Sequence, residues 1–103
     1  MSLPVVLTPE ARQEYDSAFD YYESRRAGLG TAFAGRVRDV LTRIGNSPKM
    51  HGIVSGDIRK AVVSKFPYCV YYRERADRVE VIAVFHTRRD PADWQGRVED
   101  EGA

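Results

Sequence analysis

Apolar positions along the chain change period near residue 48, and the change separates a helical half from a strand half. Pro4-Val5-Val6-Leu7 is a short apolar run stopped by Thr8-Pro9-Glu10. Threonine accepts the free amide hydrogens of a first helical turn, proline is tolerated as the first helical residue, and glutamate suits the positive end of the helix dipole. The run therefore reads as a strand leading into a helix. Ala11, Tyr15, Ala18, Phe19 and Tyr22 follow at offsets 0, 4, 7, 8 and 11, one stripe of a 3.6-residue helix. Glu10, Arg12, Glu14, Asp16 and Asp20 occupy the polar side or border it. Arg25-Arg26-Ala27-Gly28-Leu29-Gly30 interrupts the stripe, and Phe33, Val37, Val40, Leu41 and Ile44 then repeat the same offsets. This pattern predicts a helical hairpin joined by a glycine turn. Gly45-Asn46-Ser47-Pro48 closes the second helix, with residues that tolerate a left-handed cap ahead of a proline.

Residues 49–57 show no period and read as a loop. Beyond it, Ile58 to Val63, Tyr68 to Arg73 and Val79 to Phe85 are rich in β-branched and aromatic residues, with short polar connections between them. They predict an antiparallel meander. Strict alternation places Val79, Val81, Ala83 and Phe85 on one face of the last strand and Ile82 and Val84 on the other, so that strand belongs inside the sheet. Pro91-Ala92-Asp93-Trp94 suggests a short final helix. The predicted order is β-α-α-β-β-β, an α+β domain with the hairpin packed on an antiparallel sheet. Residues 1–98 make one domain, and 99–103 an acidic, disordered tail.

Composition narrows the class. At 103 residues and 43% hydrophobic, the chain buries roughly 60–70% of its unfolded surface, enough for one core without staples. The single cysteine, Cys69, has no partner for a disulfide or zinc knuckle and fits a reducing, cytoplasmic compartment. No apolar run is long enough to span a bilayer and no signal peptide is evident, so a soluble protein without membrane contact is expected. The net charge of +1 conceals an uneven distribution: residues 1–47 carry six basic and six acidic groups, and residues 48–98 carry ten against six. An anionic partner and an ordinary solvated surface both fit this excess.

Chemistry is sparse. Gly28-Leu29-Gly30 follows a helix and lacks both a third glycine and a P-loop lysine, so a turn accounts for it better than a phosphate loop. His51 and His86 have no cysteine or carboxylate at ligand spacing, so neither metal nor cofactor is expected. Cys69 and His86 fit a nucleophile pair, but a cysteine within Tyr68-Cys69-Val70-Tyr71-Tyr72 reads more simply as a small core hydrophobe. His86-Thr87-Arg88-Arg89-Asp90 gathers an imidazole and two guanidiniums just past the last strand, with Arg59, Lys60, Lys65 and Arg73 on or beside its neighbours. Such a set suits an anion or nucleic-acid site. The alternative is that Arg88 and Arg89 pair with Asp90 and Asp93 and simply close the domain.

The string Phe66-Pro67-Tyr68, Val70-Tyr71-Tyr72-Arg73, Val79 through Pro91 and Trp94 resembles the C-terminal signature of the RelE/ParE superfamily of type II toxins, also called plasmid stabilisation system proteins. Leu7-Thr8-Pro9-Glu10-Ala11 is similar to that family's lead-in to its first helix. The resemblance implies a small toxin held inactive by a cognate antitoxin, in a hetero-oligomer with it. Phe19, Tyr22 and Phe33 are candidates to line the antitoxin groove, with the core as their alternative place.

Two branches of the family differ in target. RelE-like members cut messenger RNA on the ribosome and typically carry an arginine where this chain has Cys69, and no tyrosine follows Tyr72 here. If this chain were such a ribonuclease, His86, Arg88 and Arg89 would be its catalytic candidates. ParE-like members resemble it more closely in the Phe-Pro-Tyr opening and the His-Thr-Arg-Arg-Asp-Pro exit. That branch implies binding and poisoning of DNA gyrase, with Arg88, Arg89 and His86 contributing contacts rather than proton transfer. A toxin-derived binding module without toxicity is a third reading.

Overall fold

The computed structural model describes residues 2–90 and 92–102, the last five of these by backbone alone. Its elements run β1 (Val5–Leu7), α1 (Pro9–Arg25), α2 (Leu29–Asn46), β2 (Ile53–Ser55), β3 (Ile58–Val62), β4 (Tyr68–Glu74), β5 (Val79–His86) and α3 (Ala92–Gly102). Thr8 caps α1 as expected: its Oγ1 accepts the Ala11 amide at 3.2 Å, and Pro9 follows at the first helical position. Between the helices Gly28 adopts φ +89°, a conformation open to glycine without strain. Glu23 reaches from α1 to accept the amides of Gly28 and Gly30, each at 2.9 Å. Those amide hydrogens hold the Glu23 carboxyl below its ordinary pKa. The Gly28-Leu29-Gly30 turn is thus an anion-binding helix start already filled by the chain's own carboxylate.

The five strands form one sheet in the order β1-β5-β4-β3-β2. β3, β4 and β5 make the expected antiparallel meander. The structure departs from the sequence reading in several places. β1 pairs in parallel with β5, Val5 opposite Val79 and Leu7 opposite Val81, so the sheet is mixed. The segment read as a loop contains β2, an exposed three-residue edge strand irregularly paired with β3. Its lack of a buried face explains why no period marked it. The final helix is also longer than a single turn, running from Ala92 through Gly102. Pro91, the expected start of that helix, and Ala103, the end of the expected tail, lie outside the described residues.

Both faces of the sheet are covered. On the hairpin side Phe33, Val37, Val40 and Ile44 of α2 pack with Ala11 and Ala18 of α1 against Ala61, Val70, Tyr72, Val79, Val81 and Val84. On the other side Trp94 of α3 closes a second cluster with Ile58, Cys69, Tyr71, Ile82, Ala83 and Phe85. These memberships correct the strict alternation expected for β5. Tyr71 opposes Ala83 whereas Tyr72 opposes Val81, so Ile82 is an extra residue in the strand, a bulge. Past it the side-chain phase reverses: Val84 joins Val79 and Val81 on the hairpin side, and Ala83 and Phe85 turn toward α3.

Candidate functional site

The bulge decides where His86 points. With simple alternation His86 would lie on the face away from Val79; with Ile82 inserted it follows Val84 to the hairpin side. There it borders a groove of about 450 Å³ between α1 and the end of the sheet, with Gln13, Ser17 and Tyr21 on one wall and Tyr68, Val84 and Arg89 on the other. The floor is aromatic. Tyr68 meets His86 edge-on at 5.3 Å and Phe33 at 5.1 Å, and Tyr22 and Phe66 complete the cluster.

The histidine is held by its own turn. Its Nδ1 accepts the Arg88 amide at 3.1 Å, so neutral His86 carries its proton on Nε2 and offers a donor. Burial and the neighbouring Tyr22 push the Tyr68 hydroxyl above its ordinary pKa, so it too stays protonated and donates.

Arg89 is already engaged. Its guanidinium lies 3.9 Å from the centroid of the Phe85 ring and pairs with Glu14 at 3.1 Å and Asp93 at 3.3 Å. Glu14 is the centre of this arrangement, and the sequence placed it with the polar side of α1. One carboxylate oxygen accepts the Val84 amide at 3.1 Å, and the other takes Arg97 of α3 at 2.8 Å. Arg97 also donates to the Ile82 carbonyl at 2.9 Å. β1 ends opposite Val81, which leaves the outer edge of β5 open beyond that point. Glu14 and Arg97 satisfy that edge in place of a strand. The signal was present in the chain: Glu14 lies three residues after Ala11 and four before Ala18, inside the apolar stripe.

The other basic candidates do not assemble into one surface on the sheet. Arg59 donates to the backbone carbonyls of Lys49 and His51 at 3.4 and 2.6 Å. Lys60, one residue on, belongs to the opposite face beside Cys69. Arg73 is buried and bound to Glu80 at 3.2 Å. Lys65 sits in the β3–β4 turn with φ +73°, at the same end of the sheet as His86. Arg88 is exposed at that end, and among the described residues its side chain has no partner. The expected basic surface therefore reduces to His86, Arg88 and Arg89, with Lys65 at the same end. Of the groove candidates, Phe33 is fully buried and belongs to the core, Tyr22 is partly buried in the aromatic cluster, and Phe19 is partly buried on α1. Cys69 is buried, its thiol pushed up in pKa by desolvation, and it lies opposite Phe85 rather than His86. His86 thus has no nucleophile partner in Cys69.

Comparison with known proteins decides the family. The model of the ParE toxin of the type II toxin–antitoxin system parDE matches residues 5–91. The chain belongs to the ParE toxin family. Among solved structures it is similar to a chain from the chromosomal ParDE toxin–antitoxin system of P. aeruginosa, with a TM-score of 0.72 at 9% identity, covering 82% of this chain and 96% of that one. At that identity the likeness speaks for the fold alone. No curated protein matches the sequence. The matched span takes in the hairpin, the whole sheet and the His86–Asp90 exit, so the ParE assignment rests on the elements that build the groove. Among the described residues no helix is long and apolar enough to cross a membrane, and no group of three or more His, Cys, Asp or Glu is placed to hold a metal ion.

Proposed function

We propose that this ParE-family toxin arrests growth by binding DNA gyrase rather than by cutting RNA, and that a cognate antitoxin neutralises it by covering the α1–β5 groove. The observation that carries the reading is the state of Arg89. A ribonuclease needs a guanidinium free to take the charge of a scissile phosphate; here the one in the groove is bound by Glu14 and Asp93, and Arg88, whose side chain has no partner among the described residues, does not line the groove. Cys69, where RelE-like enzymes typically carry an arginine, supplies no substitute. What the groove offers is suited to contact: the Nε2 donor of His86, the Tyr68 and Tyr21 hydroxyls, and an aromatic floor. Antitoxin segments that fold on binding fit such a groove, with Tyr21 exposed on its α1 wall as an anchor and Phe19 and Tyr22 on the same helix beside it.

Two assays on the purified chain test the reading. Added to gyrase, it inhibits supercoiling and traps cleaved DNA; added to translating ribosomes, it leaves messenger RNA intact. Unchanged supercoiling together with cut messenger overturns the reading. Arg88→Ala is the sharper probe of the target contact, because Arg88 carries no structural pairing whereas Arg89 does. Lost growth arrest with retained stability and antitoxin binding is the expected result.

A further inference from the structure

The basic residues that no carboxylate neutralises are concentrated in one part of the molecule. Residues 24–65 contain nine basic residues and two acidic ones, Asp39 and Asp57, while the rest of the chain is net acidic. Asp57 is engaged by Arg73 at 4.0 Å, and none of the nine forms an ion pair with a described residue. The fold brings five of them into line. Arg36 and Arg43, seven residues apart, share one flank of α2, about 10.5 Å apart along its axis at 1.5 Å per residue, with Asp39 between them as the one carboxylate of that helix. The opposite flank carries Arg38, which faces Arg12 and Tyr15 of α1 across a shared cavity. Past the end of α2 the charge of Arg43 acts on His51, and Arg59 ties that loop down through the Lys49 and His51 carbonyls. At the other end the Phe33–Phe66 contact, 5.3 Å between ring centroids, sets the turn bearing Lys65 beside the first half of α2. Glu74 shares a cavity with Lys49 but lies beyond ion-pair distance of it.

We propose that this track, Lys65, Arg36, Arg43, Arg59 and Lys49, binds the phosphate backbone of duplex DNA without reading its bases. Its length follows that of α2, 18 residues or about 27 Å, which exceeds any single nucleotide and suits a polyanion. Three of the five are arginines, whose planar forks match phosphate oxygens. A single strand is disfavoured because that mode of binding stacks bases on exposed aromatic rings. Of the rings nearest the track, Phe33 and Tyr72 are fully buried, and Phe66, beside Lys65, is partly buried and packed edge-on against Phe33 and Tyr22. The acidic side chains of α1, Glu10, Asp16 and Asp20, belong to the other helix of the hairpin, so their repulsion orients the α2 flank toward the duplex. The choice of DNA over duplex RNA rests on the gyrase reading above; the choice of a duplex polyanion does not.

The test is fluorescence anisotropy of a labelled, mixed-sequence 20-base-pair DNA duplex titrated with the full chain, without gyrase. Five phosphate contacts give a slope of log affinity against log salt of about −4.5, or a loss of about 500-fold between 50 and 200 mM salt. The Arg36→Gln/Arg43→Gln double variant reduces the slope to about −2.7, while Arg38→Gln, on the opposite flank, leaves it unchanged. Thermal unfolding of each variant confirms that it is folded. Absence of binding at 50 mM salt overturns the proposal, as does an unchanged slope in the double variant. Equal affinity for an RNA duplex of the same sequence, or for vesicles of phosphatidylserine, overturns the assignment to DNA. Because gyrase is absent, failure here leaves the gyrase reading standing, and uninhibited supercoiling alongside intact DNA binding refutes that reading instead.

Discussion

Replacing Glu14 by alanine should cost the fold about 2–4 kcal/mol, and the figure follows from what the carboxylate holds. Its side chain is 14% exposed, and it serves the Val84 amide, Arg97 and Arg89 together. Breaking a buried ion pair by removing one member costs about 3–5 kcal/mol. Here Arg97 and Arg89 are 25% and 45% exposed, so water recovers part of their loss and the ionic share falls well below that range. The Val84 amide has no neighbouring strand to turn to, and an orphaned buried donor adds about 1–3 kcal/mol. In a domain of this size each kcal/mol lowers Tm by about 4–8 °C, so a drop of about 8–32 °C is expected. Urea denaturation measures the change as a shift in midpoint at constant slope. Glu14→Gln keeps an acceptor for Val84 and should cost roughly half as much. On an Arg97→Ala background Glu14→Ala should cost less than alone, with a coupling of at least about 1 kcal/mol. A Glu14→Ala cost below about 1 kcal/mol, or a strictly additive cycle, would refute the idea that this clamp seals the edge of β5 and docks α3.

Trp94→Ala should destabilise by about 3–5 kcal/mol in urea, since the indole is 1% exposed and lies 4.6 Å from the Tyr71 ring centroid on the face that α3 covers. Gly30→Ala should cost about 1–3 kcal/mol despite alanine's better helix propensity, because its Cβ would stand 2.8 Å from the Phe19 carbonyl; an unchanged midpoint would show that the helices separate without cost. Burial, and then Arg43, hold His51 below its ordinary pKa, so on acidification the unfolded chain takes up this proton first. The resulting stability is complete above about pH 6.5 and falls as pH drops toward the folded value. His51→Phe, which fills the site without the Nε2 that lacks a partner among the described residues, should flatten that slope. Cys69 should resist a thiol reagent in the native state and react only on unfolding, as measured by the time course of modification.

The elements readable in advance were those that bury side chains. α1 and α2 each bury a stripe, and β3, β4 and β5 carry β-branched and aromatic runs, so period and composition agreed. β2 buries nothing, and a three-residue edge strand held by backbone bonds leaves no pattern in side chains. The parallel pairing of β1 was likewise beyond reach, because Val5-Val6-Leu7 suits either edge of the sheet. The site was harder to read for a single reason. The sequence marked His86, Arg88 and Arg89 as a cluster, but their direction depends on an inserted residue in β5, and Val79 to Phe85 is apolar at both parities. With hydrophobic residues on both faces, nothing in the pattern distinguishes a regular strand from a bulged one.

The placement of charge is hidden for a related reason. Counting basic residues by segment favoured the sheet half, yet there Arg73, Arg75, Arg78, Arg89 and Arg97 are matched with carboxylates of their own neighbourhood. The helical hairpin has six groups of each sign, but five of its acids, Glu10, Glu14, Asp16, Asp20 and Glu23, lie on α1, while α2 carries Arg36, Arg38 and Arg43 against Asp39 alone. Those groups cancel in a sum over the sequence but not in space. Glu14 and Glu23 turn inward to backbone amides and to Arg89 and Arg97, which removes them as partners for the arginines of the second helix. A field reaching a polyanion depends on unpaired charge rather than on net charge. Among the described residues the unpaired positive charge therefore lies chiefly along α2 and in Lys49, Arg59, Lys60 and Lys65, with Arg88 alone at the end of β5.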